Sequence, residues 1–140
     1  MPNHNPTLGG GGFHHVAIRA RDFDKSVHFY QDSLGFTERI AWGEPPKRAI
    51  MLDTGDGNYL EIFERPDQAP AAGEGSILHF ALRTDDPDAV VERARAAGAT
   101  ITVEPKGITI ASRPEPTPVR LAFFQGPDGE VVELFKNEKT

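Results

Sequence analysis

The chain has 140 residues, a net charge of −6, 38% hydrophobic residues and no cysteine. This length suits one domain or two small repeats that share a core. The acidic balance argues against nucleic acid or an anionic membrane as a partner, and the lack of cysteine excludes disulfides, thiolate ligands and cysteine nucleophiles. No apolar run approaches the roughly 20 residues of a membrane span. The polar start lacks the pattern of a signal peptide, so we expect a cytoplasmic protein.

The first part of the chain predicts a tail, a strand and a helix. Residues 1–12 end in four glycines and predict a flexible tail, because glycine loses much backbone entropy on ordering. From residue 13 to residue 20 the side chains alternate, with His15, Ala17 and Arg19 on one face. The following helix begins at the N-cap residue Asp22 and ends at Gly35. Its apolar face carries Phe23, Val27, Tyr30 and Leu34.

Three strands are predicted to complete this first module, which spans about residues 13–64. They cover residues 36–42, 48–54 and 58–64, and the last two form a hairpin. On the third strand, Leu60 and Ile62 share one face, whereas the opposite face carries Tyr59, Glu61 and Phe63. Residues 65–75 are rich in proline, alanine and glycine, which indicates a linker.

A second module, about residues 77–136, repeats this order. Its first strand, residues 77–83, carries His79, Ala81 and Arg83 on one face. The helix after it begins at the N-cap residue Asp86 and ends at Gly98. Its apolar face carries Val90, Ala94 and Ala97. Residues 100–103 predict a strand, and residues 104–118 predict an irregular loop that could cover a site. Two further strands, residues 119–125 and 130–136, are predicted to form a hairpin. A polar tail, residues 137–140, follows them.

The two modules are copies of one pattern. When His15 is placed on His79, five further matches follow: Ala17 with Ala81, Arg19 with Arg83, Asp22 with Asp86, Gly35 with Gly98, and residues 60–63 with residues 132–135. Each copy is therefore a strand, a helix and three strands. Neither copy can bury its sheet face alone, so the copies must pair, within one chain or between chains.

If the two modules pair, the repeated histidines and glutamates could form a metal site. The faces turned away from the helices carry His15 and Glu61 in one copy, and His79 and Glu133 in the other. If the two sheets curl towards each other, these four side chains meet in one cavity. Two uncompensated buried carboxylates would cost several kcal/mol each, whereas a divalent cation balances their charge. Nitrogen and oxygen ligands suit Ni, Zn, Co, Mn or Fe(II), and the sequence does not choose among them.

At this point the chain resembles the vicinal oxygen chelate superfamily, which contains glyoxalases, bleomycin resistance proteins and ring-cleaving dioxygenases. His15 followed by Phe29-Tyr30 and Leu34-Gly35-Phe36 is similar to the opening signature of the family. Pro127-Asp128-Gly129 followed by Val132-Glu133-Leu134 is similar to its closing signature. The resemblance covers about residues 13–136 as a single domain. It implies an α+β fold of two paired βαβββ modules that form a curved mixed sheet around a metal cavity.

The resemblance also implies a site and an activity. The metal ligands of the family match His15, Glu61, His79 and Glu133, and two histidines with two glutamates are the set of bacterial-type glyoxalase I. We therefore expect a metal-dependent lyase or isomerase that transfers a proton next to a carbonyl through a metal-bound enediolate. Glu133 or Glu61 would move the proton. A homodimer is usual in the family and is expected here.

The substrate is less well defined. Arg19 matches an arginine that holds a glutathione carboxylate in glyoxalase I, and Tyr59, Phe63 and Phe135 are candidates to line a substrate pocket. However, Arg65 stands where glyoxalase I has an asparagine, and Gly75 where a second glutathione-binding arginine is expected. Whether glutathione is the thiol that forms the substrate therefore stays open. The alternative functions are a protein that binds an antibiotic without turnover, an Fe(II) ring-cleaving dioxygenase and an acyl-CoA epimerase.

Overall fold

A computed structural model of the protein describes residues 4–33, 35–67, 75–126 and 131–140. The described residues form strands and helices in the order β1 (Phe13–Ala20), α1 (Phe23–His28), a π-helical turn (Phe29–Ser33), β2 (Thr37–Trp42), β3 (Ala49–Asp53), β4 (Tyr59–Glu64), β5 (Ile77–Arg83), α2 (Pro87–Ala96), β6 (Thr100–Ile110), β7 (Thr117–Gln125) and β8 (Val131–Asn137). This order confirms the predicted α+β class and the repeated succession of a strand, a helix and three strands.

The contacts divide the chain into two compact units. The unit we call the N-terminal unit comprises His15–Leu78, Ala111–Pro116 and Thr140, and the C-terminal unit comprises Met1–His14, His79–Ile110 and Thr117–Lys139. The predicted extent of a single domain, residues 13–136, stays a prediction.

Several predicted features lie outside the described residues, namely Leu34, residues 68–74 of the linker, and the Pro127-Asp128-Gly129 turn. Within the described ranges, neither helix is long and apolar enough to cross a membrane.

In the N-terminal unit the strands follow the order β2-β3-β4-β1. β3 pairs with both β2 and β4 in antiparallel fashion, whereas β1 and β4 are parallel. Parallel pairing is possible here because α1 and two strands lie between β1 and β4 in the chain, which provides the long connection that it requires. The unit packs α1 over an apolar cluster of Ala20, Phe23, Ala41, Ile50, Leu52 and Ile62, with Val27 and Tyr30 against it.

The predicted first helix is confirmed, with one difference. Asp22 caps it, since its carboxylate accepts a hydrogen bond of 3.1 Å from the Lys25 amide. After His28 the chain widens into the π-helical turn, which was not predicted from the sequence. Gly35 ends the segment at φ +74°, a left-handed conformation that other residues adopt at a cost.

In the C-terminal unit the strands follow the order β5-β8-β7-β6. β5 and β8 are parallel, and β7 pairs with β8 and with β6 in antiparallel fashion. Helix α2 begins at the predicted cap, since Asp86 accepts a 3.0 Å hydrogen bond from the Ala89 amide. The predicted stripe of α2 needs correction. Val91 is the fully buried residue, whereas Val90 and Ala94 are half-buried and Ala97 is exposed beyond the end of the helix.

The prediction of an irregular loop over residues 104–118 was wrong. Strand β6 continues to Ile110 and pairs with β7 over most of its length, so only residues 111–116 lack regular structure apart from one bridge between Arg113 and Ala41. The sequence was misleading because Pro105 cannot donate to a ladder. In the structure the pairing register shifts between Val103 and Lys106, and a proline is tolerated at such a bulge on an edge strand.

The N-terminal residues make specific contacts within the C-terminal unit. The Asn5 side chain accepts hydrogen bonds from the Thr7 and Leu8 amides and forms a turn. The Thr84 hydroxyl donates a 2.6 Å hydrogen bond to the Leu8 carbonyl, and the Arg83 amide donates one of 3.2 Å to Gly12. These bonds place the turn beside α2, and Leu8 packs partly buried against the helix-side core. The mobility of this segment stays a prediction.

Candidate metal centre

The N-terminal unit brings His15 and Glu61 together on two parallel strands. β1 and β4 align so that Ala17 lies opposite Glu61, which places His15 two residues before that rung and on the same face. The Nε2 atom of His15 lies 3.3 Å from Oε1 of Glu61, and the two side chains are 0% and 7% exposed.

The C-terminal unit repeats this contact. β5 and β8 align so that Ala81 lies opposite Glu133, and His79 again precedes that rung by two residues. Nε2 of His79 lies 3.2 Å from Oε1 of Glu133, with side-chain exposures of 12% and 6%. The sequence repeat therefore corresponds to a repeat of side-chain geometry, with the same ring nitrogen and the same kind of oxygen in contact.

The donor atoms of each pair fit two neighbouring ligands of a cation. Metal–nitrogen and metal–oxygen bonds of about 2.1 Å put adjacent ligands about 3.0 Å apart at 90° and about 3.4 Å apart at the tetrahedral angle. Both observed separations fall between these values. They are longer than the roughly 2.7–2.9 Å of a tight ion pair between a protonated nitrogen and a carboxylate. A buried carboxylate needs compensation by hydrogen bonds or by a positive charge, and both spacings are compatible with two neighbouring ligands of one cation.

Aromatic rings border the C-terminal pair. The ring of Phe123 meets that of His79 edge-on, with centroids 5.5 Å apart, and Phe123 lies opposite Glu133 in the β7–β8 register. Phe123 was missed from the sequence. The alternation along β7 could have indicated it, because Leu121 and Phe123 share one face of that strand. His14, fully buried, also packs against Phe135 with centroids 4.5 Å apart.

The residues predicted to contact a substrate lie in different surroundings. Tyr59 is buried in a cluster with Ile40 and Met51, and Phe135 is buried in a cluster that includes Ala81, Val119 and Leu121. Phe63 lines a cavity within the N-terminal unit. Arg19 is half-buried, and its Nη2 donates a 3.3 Å hydrogen bond to the Gly75 carbonyl.

Comparison with known proteins identifies the family. The family model of the Glyoxalase/Bleomycin resistance protein/Dioxygenase superfamily matches residues 12–134. The chain belongs to this superfamily. The match includes both His–Glu pairs and nearly all of both repeats. The superfamily includes lyases and epimerases, and its members typically bind a divalent metal ion.

Proteins that are similar to this chain include an uncharacterized protein, a lyase and an epimerase. It is 34% identical to the uncharacterized protein YaeR of Escherichia coli, over 92% of this chain and 98% of that one. It is 28% identical to the lactoylglutathione lyase of Haemophilus influenzae, over 90% and 93% of the two chains. Among solved structures, a methylmalonyl-CoA epimerase of Streptomyces coelicolor is 27% identical with a TM-score of 0.65, over 88% and 94% of the two chains.

Proposed function

We propose that this superfamily member is a metal-dependent lyase or isomerase of the glyoxalase I type, which transfers a proton next to a carbonyl group of a small molecule. The main support is the duplicated contact between a buried histidine and a buried glutamate. A single buried His–Glu pair is common as a structural feature, but two equivalent pairs at repeat-related positions favour a shared function.

In this proposal His15, Glu61, His79 and Glu133 together hold one divalent ion. His15, His79 and Glu133 can each offer one ligand atom to an ion. Two neutral imidazoles and two carboxylates carry a charge of −2, which one dication balances. The proposal requires only that the two pairs meet around one ion, within one chain or between two copies. The nitrogen and oxygen donors suit Ni, Zn, Co, Mn or Fe(II).

The proposed reaction assigns separate tasks to the residues of the chain. A bound divalent ion supplies Lewis acidity, which stabilises negative charge on substrate oxygens. Glu133 or Glu61 accepts the proton from the carbon beside the carbonyl and returns it to a neighbouring carbon, as a general base and then a general acid. Ala17 and Ala81 lie opposite the two glutamates and add only a methyl group beside each carboxylate. Arg19 is the candidate group for orienting an acidic part of the substrate.

An acyl-CoA epimerase is the second candidate, because it also begins by removing a proton from the carbon beside a carbonyl. It is supported by the similarity to the Streptomyces coelicolor enzyme and to a methylmalonyl-CoA epimerase solved with methylmalonyl-CoA, to which the chain is 26% identical with a TM-score of 0.67. The names of the curated relatives favour the lyase instead, since several are lactoylglutathione lyases. Both activities begin with loss of this proton to a glutamate, but an epimerase returns a proton to the opposite face of the same carbon, whereas the lyase returns it to the neighbouring carbon.

The test is metal analysis of the purified protein followed by an activity panel with the metal restored. The panel contains the hemithioacetal of methylglyoxal and glutathione, methylmalonyl-CoA, and catechol with oxygen-uptake detection. Turnover of the hemithioacetal supports the lyase, and exchange of the α-proton of methylmalonyl-CoA with deuterated water supports the epimerase. Oxygen uptake with catechol, or stoichiometric antibiotic binding without turnover, would contradict the proposal in favour of the other named classes of this superfamily.

A further inference from the structure

A cavity of about 830 Å³ lies within the C-terminal unit. It is bordered by the N-terminal turn, by α2 and the residues that follow it, by the start of β6 and by the end of β7. Its volume is in the range of about 300–1,000 Å³ that is typical of small-molecule sites. Neither His79 nor Glu133 lines it, so it requires an explanation separate from the metal centre.

The cavity and the His79–Glu133 pair lie on opposite faces of the same strands. Leu82 lines the cavity and follows His79 by three residues on β5, and an odd spacing along a strand places two side chains on opposite faces. Phe124 also lines the cavity, and in the β7–β8 register it lies opposite Val132, one residue before the Glu133 rung. The sheet therefore separates a ligand in this cavity from the pair.

The walls of the cavity leave apolar side chains partly uncovered. Leu8, Leu82, Val90 and Phe124 pack against the helix-side core but are only partly buried, and all four line the cavity. They come from four different segments of the chain, so they border the cavity on several sides. Removing more of their surface from water is favourable, and the cavity therefore suits an apolar group of a ligand.

Hydrogen bonds hold the wall that the N-terminal turn contributes. Thr84 is buried, and its hydroxyl donates a 2.6 Å hydrogen bond to the Leu8 carbonyl while it accepts one of 3.1 Å from the Asp86 amide. The Asp85 amide donates a further hydrogen bond to the Gly9 carbonyl. Leu8 is therefore attached to the residues that begin α2, and this wall belongs to the folded unit.

Arg93 is the one charged side chain among the described residues that line the cavity. It is exposed on α2 and makes no ion pair within the described part of the chain, whereas Arg95 pairs with Glu92 and Glu104. Positions one turn away from Arg93 on the helix, residues 89, 90, 96 and 97, are alanine or valine, so its own helix face supplies no acid. The cavity therefore carries an uncompensated positive charge.

The end of α2 does not need the guanidinium of Arg93. Basic side chains near a helix C-terminus can donate hydrogen bonds to the last carbonyl groups of the helix. Here the carbonyls of residues 93–95 accept hydrogen bonds from the backbone amides of residues 97–99. The guanidinium is therefore available to a ligand.

We propose that this cavity is a second binding site, and that its ligand is a small amphipathic anion with an apolar chain or ring and a single carboxylate. The apolar part lies against Leu8, Leu82 and Phe124, and the guanidinium of Arg93 donates hydrogen bonds to the carboxylate. A planar guanidinium can donate two parallel hydrogen bonds to a carboxylate, which favours this group over a neutral one. Because the sheet separates the cavity from the His79–Glu133 pair, the site does not depend on the proposed function.

Octanoate and its neutral counterpart, octanamide, are suitable probes. Protein that is labelled with ¹⁵N and loaded with Zn²⁺ is titrated with each ligand while the backbone amide signals are followed by NMR. We expect saturable shifts at lining residues such as Leu8, Ala94 and Phe124, with a dissociation constant of about 1 mM or lower for octanoate. Octanoate should bind about fivefold more tightly than octanamide, as for a partly exposed charge pair.

Three variants separate the charge from the apolar walls. Arg93→Gln should remove the preference for octanoate and leave octanamide binding within about twofold. Arg95→Gln is the matched control, because Arg95 is an exposed arginine on the same helix that does not line the cavity, and it should change neither dissociation constant. Leu8→Ala should weaken both ligands by about threefold and keep the preference, because it removes only apolar contact. The amide spectrum of each variant shows whether it is folded.

The same titration on protein dialysed against EDTA tests whether the carboxylate binds the metal ion instead. Octanoate should bind metal-free protein with a dissociation constant within about twofold. Shifts confined to residues around the His–Glu pairs, equal binding of the two ligands, or an unchanged preference in Arg93→Gln would overturn the proposal. A dimer that Leu8→Ala dissociates in light scattering would also overturn it, since a second copy of the chain would then occupy the cavity.

Discussion

Ala17 of β1 lies directly opposite Glu61 of β4, and its side chain is completely buried. Ala81 and Glu133 have the same relationship in the other unit, where Ala81 is also completely buried. An alanine at this rung adds only a methyl group beside the carboxylate, on the face that carries the histidine. A small residue opposite the glutamate is therefore a feature that the two His–Glu pairs share.

Enlarging this residue should damage the metal centre. In Ala17→Leu the larger side chain competes with Glu61 for space, and overpacking of a buried site costs about 1–3 kcal/mol. We expect a lower unfolding free energy in urea and less metal per chain by elemental analysis. Ala17→Gly should keep its metal, and Ala97→Leu, at an exposed position after α2, should resemble the unmodified protein. A full metal content in Ala17→Leu would show that a small residue is not needed at this position.

Replacing the glutamates should remove turnover. Loss of a general acid–base group lowers kcat by about 10²–10⁴-fold, and loss of a metal ligand lowers it further. Glu133→Gln and Glu61→Gln are therefore each expected to reduce kcat at least 100-fold on whichever substrate the panel identifies. Glu38→Gln, an exposed glutamate on β2, is the matched control. Normal rates in both site variants would rule out the proposed mechanism.

Metal removal should destabilise the protein. A ligand that binds only the folded state at 1,000 times its dissociation constant adds about 4 kcal/mol to stability. Protein treated with EDTA should therefore unfold at a lower temperature, and added Ni²⁺ or Zn²⁺ should restore the transition. The double variant Glu61→Gln/Glu133→Gln should show no shift with either metal. An equal shift in that variant would place the metal at another set of residues.

The ion pair between Arg48 and Glu64 should make stability depend on pH. Hydrogen bonds from Arg48 lower the pKa of Glu64 from 4.5 to about 2. Because the pKa is lower in the folded state, the pair stabilises the fold above pH 4.5, and this contribution is lost as the pH falls from 4.5 to about 2. Urea unfolding between pH 2 and pH 6 should show this loss. Glu64→Gln should flatten the profile in that window, whereas a profile equal to that of the unmodified protein would exclude Glu64 as its source.

The expected homodimer can be measured directly. A chain of 15.3 kDa should give twice that mass by light scattering if it dimerises. A mixing experiment then shows which chains supply the ligands. Protein with His15→Ala/Glu61→Gln is mixed with protein with His79→Ala/Glu133→Gln, and turnover that appears only in the mixture shows that the two pairs come from different copies. A monomer with full activity would contradict the dimer prediction.

The network around Arg48 shows why part of the structure could not be predicted. Its guanidinium contacts Asp24 and Glu64 and lies 4.6 Å from the centre of the Phe23 ring, so it connects α1 to the sheet. These residues are up to 41 positions apart in the chain, and no local pattern relates them. Trp42 and Phe63, or His79 and Phe123, are brought together in the same way by strand register.

The amino-acid sequence alone determined the features that depend on neighbouring residues. The helix caps at Asp22 and Asp86, the stop at Gly35 and the faces of β1 and β4 follow from hydrogen bonding and side-chain period, and the repeat relates His15 to His79. The tertiary structure decided the rest: β6 continues past Pro105 because β7 pairs with it around a bulge, and Val91 is buried because of the way α2 packs on the sheet. These outcomes depend on surfaces formed by distant segments, whose packing energies outweigh local propensity.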